Sequence, residues 1–498
     1  MHGRFGLTLF LMCSLPAFLP AGVHAETHRA LLVGIDKYEP KQTATAAAAA
    51  GKPVVGEANP SPSNTPPTRG TWFDLDGAVN DVEAVRAILL ARYGFQPGNV
   101  RVLRNGEATR DRILAEIRRH LIAPVVPGDV AVFFYAGHGS QVNNSQSSEL
   151  DKKDETIVPA DASQGAWDIR DKELRRLFND ILDKGASLTV FFDSCHSGSI
   201  ARGLARAEKA RFLPPDPRDI AAVVGAETPD PRPAPEERGA LVFSAAQDFE
   251  LANEDTEEET GGKHGAFTLA LLKALKTAKA QESAENVFLR TKALIRKAQE
   301  PVLAGPAGRR QKPLFGSGAG VSAEGNRIAV RRIRDDGTVE LQGGLAVGLR
   351  EKCELKKVDV PAGAQAVRLR VEKVQGWSDA TARVIAGEAK MVRPGDLFVM
   401  DLWAAPNRPF LRVWIPPTAT SPGDLQHLTE EVSALRTSKE IEWINDPTED
   451  TPTHRLEWNG AVWIIVKPGG QEDHLGKAFT AQQVLETLAM GAKEKAKL

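Results

Sequence analysis

Cysteine is scarce in this chain. Only three of its 498 residues are cysteines, and one of them, Cys13, falls in an apolar stretch at the start of the sequence. A disulfide framework of the kind that small secreted domains use is therefore not expected. The sequence also lacks a net charge of either sign, since 63 lysine and arginine residues are balanced by 65 aspartate and glutamate residues. Without an overall basic field, we expect no nucleic-acid partner.

Long apolar runs are missing apart from one at the N-terminus. Arg4 precedes an apolar stretch from Phe5 to Leu19, and a small-residue exit follows at Val23-His24-Ala25. This pattern is typical of a signal peptide, and the stretch is too short for a comfortable membrane helix. We expect cleavage after Ala25, export to the periplasm or the medium, and no stable membrane span afterwards. An uncleaved anchor is the alternative interpretation.

The remaining length is too great for a single core, because ordinary domains run to about 100–200 residues. Composition shifts give the expected boundaries: a signal peptide at 1–25, a large first domain at 26–318 with a flexible insert at 39–71 and a loop at 202–238, a small β domain at 319–405, and a small α+β domain at 406–498.

Strands and helices alternate along the first domain. His28 to Ile35, Asp129 to Tyr135 and Ser187 to Phe192 are predicted strands, and the last two are mainly apolar, as in strands covered on both faces. Between them, Asp74 is placed to cap a helix whose apolar residues from Val79 to Leu89 keep helical spacing. The alternation predicts an α/β fold with a mainly parallel sheet and helices on both sides.

Two of these strands end on small-residue turns that carry reactive side chains. His138 lies in Tyr135 to Ser140 (YAGHGS), and Cys195 lies in Asp193 to Gly198 (DSCHSG). Ligands bind beyond the carboxyl ends of strands in an open parallel sheet, so the two side chains are expected to face each other. An imidazole can take the proton of a thiol and later protonate a leaving amine. The amides of Gly139 and Cys195 are candidates for stabilising an oxyanion.

Other interpretations of these residues stay open. His138 and Cys195 can be ordinary core residues that happen to share a domain. His138, Cys195 and His196 are also possible zinc ligands, but no fourth ligand is evident. We predict no metal site and no cofactor, and a Cys-His dyad is the minimal catalytic unit because no third side chain is obvious.

In combination, the two turns resemble the histidine and cysteine motifs of metacaspases and their bacterial relatives, the orthocaspases, within the caspase-like clan of cysteine peptidases. Four further segments resemble the same family: Leu32 to Tyr38 (LVGIDKY), Gly77 to Asp81 (GAVND), Asp154 to Asp161 (DETIVPAD) and Gly265 to Thr268 (GAFT). The likeness covers about Thr27 to Gly318. It implies a three-layer α/β/α caspase-like domain that hydrolyses peptide bonds through a thioester acyl-enzyme.

The resemblance also implies cleavage after Arg or Lys in an acidic pocket, whose positions match Asp81 and Asp193. Carboxylates suit the planar fork of an arginine side chain. The alternative is that Asp81 braces its helix and Asp193 fixes the cysteine turn. The expected partners are protein or peptide substrates with Arg or Lys at the cleavage site.

Many metacaspases need calcium, which an aspartate cluster binds. Asp154 and Asp171 match two of those positions, whereas Lys172 and Arg202 stand where further aspartates are expected. Calcium requires about six to eight oxygen ligands, so no calcium site is predicted by this route.

Two charged segments of the first domain each allow more than one interpretation. The basic stretch Arg202 to Arg211 is either a site of self-cleavage or a plain solvated linker, and the acidic run Glu254 to Glu259 is interpreted as a solvated loop. The first functional hypothesis is a secreted endopeptidase specific for basic residues. Its alternative is a catalytically idle caspase-like scaffold that binds proteins through its C-terminal units. A third functional hypothesis is a peptidase of the same clan that is specific for asparagine or is gingipain-like.

Overall fold

The structure is a computed structural model. It describes residues 26–38, 69, 72–195, 210–224, 230–247, 250–316, 318, 326–360, 363, 365–403, 411–416, 441–448, 452–459, 462–467 and 472–474, with single positions at 426, 429, 430, 433, 483 and 487. Several sequence-based predictions lie outside the described residues: the signal peptide at 1–25, most of the insert at 39–71, His196, and residues 202–209.

The first part of the chain alternates strands with helices. Its strands are β1 (His28–Gly34), β2 (Val100–Arg104), β3 (Val130–Ala136), β4 (Gly139–Asn143), β5 (Lys153–Ile157), β6 (Ile169–Arg170), β7 (Ser187–Asp193), β8 (Asp216–Asp219), β9 (Leu241–Ser244), β10 (Glu254–Thr256), β11 (Lys263–Gly265) and β12 (Val302–Ala304). Its longer helices are α1 (Ala78–Arg92), α2 (Arg110–Glu116), α3 (Asp171–Asp183), α4 (Ala266–Thr277) and α5 (Ala284–Leu294).

Six of these strands form the central sheet, in the order β12-β9-β7-β3-β1-β2. All neighbours run parallel except β12, which is antiparallel to β9. Every residue of β3 is buried, as expected for a parallel strand that is covered on both faces. The predicted α/β fold with a mainly parallel sheet is confirmed.

The strand register places the two reactive turns side by side. Gly34 of β1 pairs with Ala136 of β3, and Ala136 pairs with Asp193 of β7. The turns that carry His138 and Cys195 therefore leave the same edge of the sheet at the same level, beyond the carboxyl ends of adjacent strands.

Helix α1 starts over this edge, but not as predicted. Its first residue is Ala78, and no side chain of the preceding residue caps it. Instead, the carboxylate of Asp36, just after β1, accepts hydrogen bonds from the amides of Ala78 (2.7 Å) and Val79 (3.2 Å). Asp74 accepts one from the Tyr38 amide (2.8 Å), so the prediction that Asp74 caps the helix is wrong.

Beside the central sheet lies a smaller one, in the order β6-β5-β4-β8. β4 leaves the histidine turn directly and pairs in parallel with β8. Because β8 falls within the stretch 202–238, part of that stretch is an ordered strand next to the histidine turn.

Six later strands close into a mainly antiparallel barrel, in the order β13-β14-β17-β16-β15-β18. They are β13 (Arg327–Ile333), β14 (Val339–Gln342), β15 (Glu354–Lys357), β16 (Arg368–Gln375), β17 (Asp379–Ala386) and β18 (Leu397–Leu402). A mixed five-stranded sheet follows, in the order β20-β19-β21-β22-β23: β19 (Leu411–Trp414), β20 (Ile441–Ile444), β21 (His454–Trp458), β22 (Trp463–Val466) and β23 (Glu472–His474).

The chain separates into two compact units. One comprises Met1–Val347, Leu355–Arg370 and Gln375–Met400, and the other comprises Gly348–Glu354, Val371–Val374 and Asp401–Leu498. All residues of the site described below belong to the first unit. The boundaries predicted near 318 and 405 stay predictions. No helix in the described ranges has both the length and the apolar character that crossing a membrane requires.

Candidate active site

His138 is held by a main-chain carbonyl and two aromatic rings. Its Nε2 lies 3.0 Å from the carbonyl oxygen of Phe73, and because a carbonyl only accepts, Nε2 carries the proton. The rings of Tyr38 and Phe73 both lie 4.6 Å from the imidazole, centroid to centroid. Burial lowers the pKa of His138 to about 3, so the ring is neutral and Nδ1 keeps a free lone pair. Within the described residues Nδ1 has no hydrogen-bond partner.

Cys195 is equally enclosed. Its side chain is buried, and Sγ accepts a hydrogen bond from the amide of Ala252 (2.8 Å). Burial raises the pKa of the thiol to about 12. In the described part of the chain, no hydrogen bond joins Sγ to His138. The two side chains leave the same edge of the sheet, yet both are neutral and the dyad is not engaged in this conformation.

The two amides predicted to stabilise an oxyanion converge on one carbonyl oxygen. The amide of Gly139 (3.0 Å) and the amide of Cys195 (3.1 Å) both donate to the carbonyl of Arg211. Gly139 has to be glycine here, because a Cβ at this position would lie 1.8 Å from the Cys195 carbonyl oxygen. The catalytic roles of His138, Cys195 and the two amides stay predictions, but the structure places the two amides on one peptide carbonyl.

The peptide that carries this carbonyl crosses the site in an extended form. The amide of Arg211 donates to the carbonyl of Ala252 (2.9 Å), and the amide of Leu213 donates to the carbonyl of Gly139 (3.0 Å). Main-chain pairing on both sides of a residue is how an added strand is recognised. Arg211 is therefore bound in the manner of a peptide ligand, and it is fully buried. The interpretation of Arg211 as part of a solvated linker is wrong.

The side chain of Arg211 lies between the two aspartates that were predicted to form a pocket. Its Nη2 is 2.7 Å from Asp81 Oδ2, and its Nη1 is 3.3 Å from Asp193 Oδ2. All three side chains are fully buried. Asp81 reaches the guanidinium from the first turns of α1, and Asp193 reaches it from the last residue of β7. The structure thus brings together Asp81 and Asp193, which are far apart in the sequence, on one cation.

Electrostatics favour charge in this cluster despite its burial. Burial lowers the pKa of the Arg211 guanidinium, but Asp193, Asp81 and Glu254 outweigh that effect and raise it above its usual range. Burial raises the pKa of Asp81 to about 6, with Arg211 acting in the opposite direction. Removing one partner of a buried ion pair destabilises a protein, because the other charge is left buried without compensation.

Two further residues of the cluster were not predicted from the sequence. Glu254 Oε1 lies 3.3 Å from Arg211 Nη2, with only 5% of its side chain exposed, so its assignment to a solvated loop is wrong. His264 Nδ1 lies 2.9 Å from Asp81 Oδ1. Burial lowers the pKa of His264, but the hydrogen bond to Asp81 outweighs it and the pKa is raised. The GAFT segment that follows His264 carried a signal, since a Cβ on Gly265 would lie 2.1 Å from Asp193 Oδ2.

The aspartates considered for calcium lie elsewhere, and cationic side chains neutralise Asp154. Asp154 contacts the ammonium of Lys172 and, at 3.1 Å, Nη1 of Arg170. Glu149, Glu155 and Asp171 place one carboxylate oxygen each within 4.8 Å of one another, but Lys172 Nζ already lies 2.9 Å from Glu149. Burial raises the pKa of Asp171 to about 7.

A cavity of about 530 Å³ lies beside α3, lined by residues such as Leu174, Phe178 and Phe192. None of the predicted site residues lines it. The acidic pocket itself holds the chain's own arginine.

Part of the chain that forms this site is similar in sequence to known proteins. The family described as metacaspase, peptidase C14 domain, matches residues 66–202. Metacaspase-3 of Arabidopsis thaliana is 30% identical over 218 residues, which are 42% of this chain and 57% of the relative. Metacaspase-9 of the same plant is 37% identical over 157 residues, which are 30% of this chain and 45% of the relative. The chain thus spans about half the length of these curated relatives.

Among solved structures, a crystal structure of a Geobacter sulfurreducens protein aligns with a TM-score of 0.43 at 23% identity, covering 58% of this chain and 99% of that one. The sequence match includes the histidine turn, the cysteine turn and Asp81, the groups that the structure gathers around Arg211. Residues 66–202 are therefore similar to the metacaspase peptidase C14 domain, and the predicted resemblance to the caspase-like clan of cysteine peptidases is confirmed.

Proposed function

We propose that this chain is a secreted cysteine endopeptidase that hydrolyses the peptide bond after arginine or lysine residues, with Cys195 as the nucleophile and His138 as the general base. The observation that carries the proposal is the binding of Arg211. Its side chain fills an acidic pocket while its carbonyl oxygen accepts from the amides of Gly139 and Cys195.

A scissile peptide needs both of these contacts at once. The pocket fixes which residue precedes the cleaved bond, and the two amides lie where negative charge develops on the carbonyl oxygen during attack. Electrostatic stabilisation of that kind contributes about 10²–10³ in rate for one donor. The polypeptide at Arg211 satisfies the two requirements without any substrate being added.

The chemistry follows from the same groups. When Nδ1 of His138 takes the proton of Cys195, the thiolate attacks the carbonyl carbon and the tetrahedral oxyanion is held by the amides of Gly139 and Cys195. The imidazolium then gives its proton to the leaving amine, the C–N bond breaks and a thioester remains. Water, activated by the same imidazole, hydrolyses the thioester and restores the thiol. The Phe73 carbonyl orients the ring through Nε2, which supplies the third member that the side chains lack.

In the conformation that the structure describes, the Cys195–His138 ion pair that this chemistry needs has not formed. Burial raises the pKa of the Cys195 thiol to about 12, so the thiol is almost entirely protonated at pH 8. Opening of the site, or reorientation of the Cys195 side chain toward Nδ1 of His138, is needed to form the ion pair. External substrates compete with residues 210–213 for the same amides and carboxylates.

Export is part of the proposal and rests on the sequence alone. A basic residue, an apolar stretch and small residues ending at Ala25 support removal of a leader. Expression of the full chain in a bacterial host tests it: the exported protein should begin at Glu26, and a product that retains residues 1–25 would refute it.

A peptide panel tests the proposed activity. Fluorogenic peptides ending in Arg, Lys, Asp or Asn are incubated with the protein and with its Arg211→Ala variant, with and without calcium, and Cys195→Ala serves as the blank. We expect cleavage after Arg and Lys only. If neither protein cleaves any peptide, the scaffold hypothesis replaces the peptidase. If Asn peptides are preferred, the acidic pocket has been misassigned.

A further inference from the structure

The polypeptide that occupies the site continues past the arginine along β4. The amide of Leu213 donates to the carbonyl of Gly139 (3.0 Å), the same residue whose amide donates to the carbonyl of Arg211. Phe212 lies between these two contacts and forms a parallel bridge with Gly139. If Arg211 precedes the cleaved bond, Phe212 and Leu213 are the first and second residues that follow it. The structure therefore shows how the site can hold the leaving side of a peptide.

The side chains of these two residues are enclosed by the domain. Phe212 is 5% exposed and Leu213 is fully buried, and both belong to the main hydrophobic core. Burial of a leucine side chain contributes substantially to binding, because apolar surface leaves water. The second position after the bond thus has an apolar subsite that a leucine fills completely.

The hydroxyl of Ser140 binds the main chain at the same place. Its Oγ lies 2.9 Å from the carbonyl oxygen of Leu213 and 3.0 Å from that of Pro214, so its proton can serve either acceptor. Ser140 is fully buried and follows Gly139 directly in β4. Pro214 and Pro215 have no amide proton to donate to β4. The hydroxyl therefore holds the chain through its carbonyl oxygens where amide donors are missing.

We propose that this site also recognises the residues that follow the cleaved bond, through an apolar subsite at the second position and the Ser140 hydroxyl on the main chain of that residue. The inference rests on the proposed peptidase function and adds a substrate feature that the acidic pocket does not determine. The preferred substrates are peptides in which the residue before the bond is followed, two positions later, by a large aliphatic residue such as leucine. A substrate that ends at the bond makes neither contact.

The test compares substrates that do and do not extend past the bond. One is a peptide with the sequence of residues 209–216 (KARFLPPD), the second carries alanine in place of its leucine, and the third is blocked Lys-Ala-Arg coupled to aminomethylcoumarin. Hydrolysis after the arginine is followed by chromatography. The proteins are Arg211→Ala, which lacks the side chain that fills the pocket, and the same chain with Ser140→Ala or Ser187→Ala added. Ser187 is the matched control, because it begins β7 and so lies at the opposite end of that strand from the cysteine turn.

Two differences are expected. In the Arg211→Ala protein, kcat/KM for the leucine peptide should exceed that for the alanine peptide by at least about tenfold. Ser140→Ala should lower the ratio of kcat/KM for the leucine peptide to kcat/KM for the coumarin substrate by about three- to tenfold, since a hydrogen bond is lost only with the longer substrate. Ser187→Ala should leave that ratio as it is. Equal efficiency on the leucine and alanine peptides, or the same ratio in Ser140→Ala and Ser187→Ala, would overturn the inference.

Binding without catalysis separates this inference from the peptidase assignment. Calorimetry uses a chain that carries Cys195→Ala and Arg211→Ala, with the peptide FLPPD and its alanine counterpart FAPPD as probes. The leucine peptide should bind at least about tenfold more tightly. Such binding by a protein whose Cys195 form hydrolyses no substrate would refute the peptidase and leave the subsite standing. A leucine peptide that binds no more tightly than the alanine peptide would overturn the subsite.

Discussion

Removing the side chain of Arg211 should expose Cys195, the proposed nucleophile. In the closed site the guanidinium contacts Asp81 at 2.7 Å, and Asp193 and Glu254 at 3.3 Å each, all out of water. Truncating one partner of a buried charge pair costs about 2–5 kcal/mol. If that energy holds residues 210–213 in place, Arg211→Ala raises the population of the open site by about 30-fold to several thousand-fold.

The assay is the rate at which iodoacetamide alkylates Cys195 at pH 8, with peptide mapping to separate it from the buried Cys353. The matched control is Arg218→Ala, which removes another arginine from the same segment. Arg218 pairs with Asp216 (2.6 Å) and donates to the carbonyl of Gly165 (2.8 Å), away from the pocket. We expect Arg211→Ala to react at least about 30-fold faster than the parent. A change below threefold, or an equal gain in Arg218→Ala, would refute the view that Arg211 closes the site.

Four further outcomes follow from the same geometry. The Arg211–Phe212 bond should be cut in the purified protein, giving a fragment that begins at Phe212 by mass spectrometry, and Cys195→Ala should remain intact. His138→Ala should lose nearly as much peptide hydrolysis as Cys195→Ala, and the double variant should be no worse than either, because the pair acts as a unit. Asp81→Ala should lose at least about tenfold in kcat/KM on Arg peptides while Cys195 still reacts with an alkylating agent. Catalytic efficiency on Arg peptides should fall as the pH drops below about 6. Burial raises the pKa of Asp81 to about 6, and only the ionised carboxylate pairs with the guanidinium. His138 does not titrate in that range, because burial lowers its pKa to about 3. A pH profile that is flat from 7 to 5 would contradict the role given to Asp81.

The parallel sheet could be predicted because its signal is local. β3 consists of apolar residues and β7 is apolar at Leu188 and from Val190 to Phe192, as two covered faces require, and a small-residue turn follows each strand. Adjacency of the strand ends then follows from the topology of parallel sheets. For this reason, the sequence alone could predict that the turns carrying His138 and Cys195 leave the same edge of the sheet.

The occupant of the pocket could not be predicted in the same way. Arg211 is separated from Asp81 by 130 residues, and in the sequence it is one of several basic residues in a charged stretch. Glu254 begins an acidic run whose later member Glu258 is largely exposed, so composition indicates a solvated loop for both. Glu254 is buried at the start of β10, whereas Glu258 is exposed in the turn between β10 and β11. This difference depends on the hairpin and not on the composition. The helix start failed for a similar reason, because its cap comes from Asp36, 42 residues before Ala78.

Because Arg211 belongs to the same chain as the pocket, it competes with free peptides for the site at a fixed effective concentration. A ligand joined to its own binding site by a short segment acts at an effective concentration of about millimolar, whatever the dilution of the protein. A free peptide must exceed that value, or bind more tightly than residues 210–213, before it occupies the pocket. Hydrolysis of the Arg211–Phe212 bond would separate Phe212 from the arginine and leave Arg211 as a carboxylate product, attached from one side only. An electrophilic arginine analogue should therefore inhibit the cut form at far lower concentrations than the intact chain.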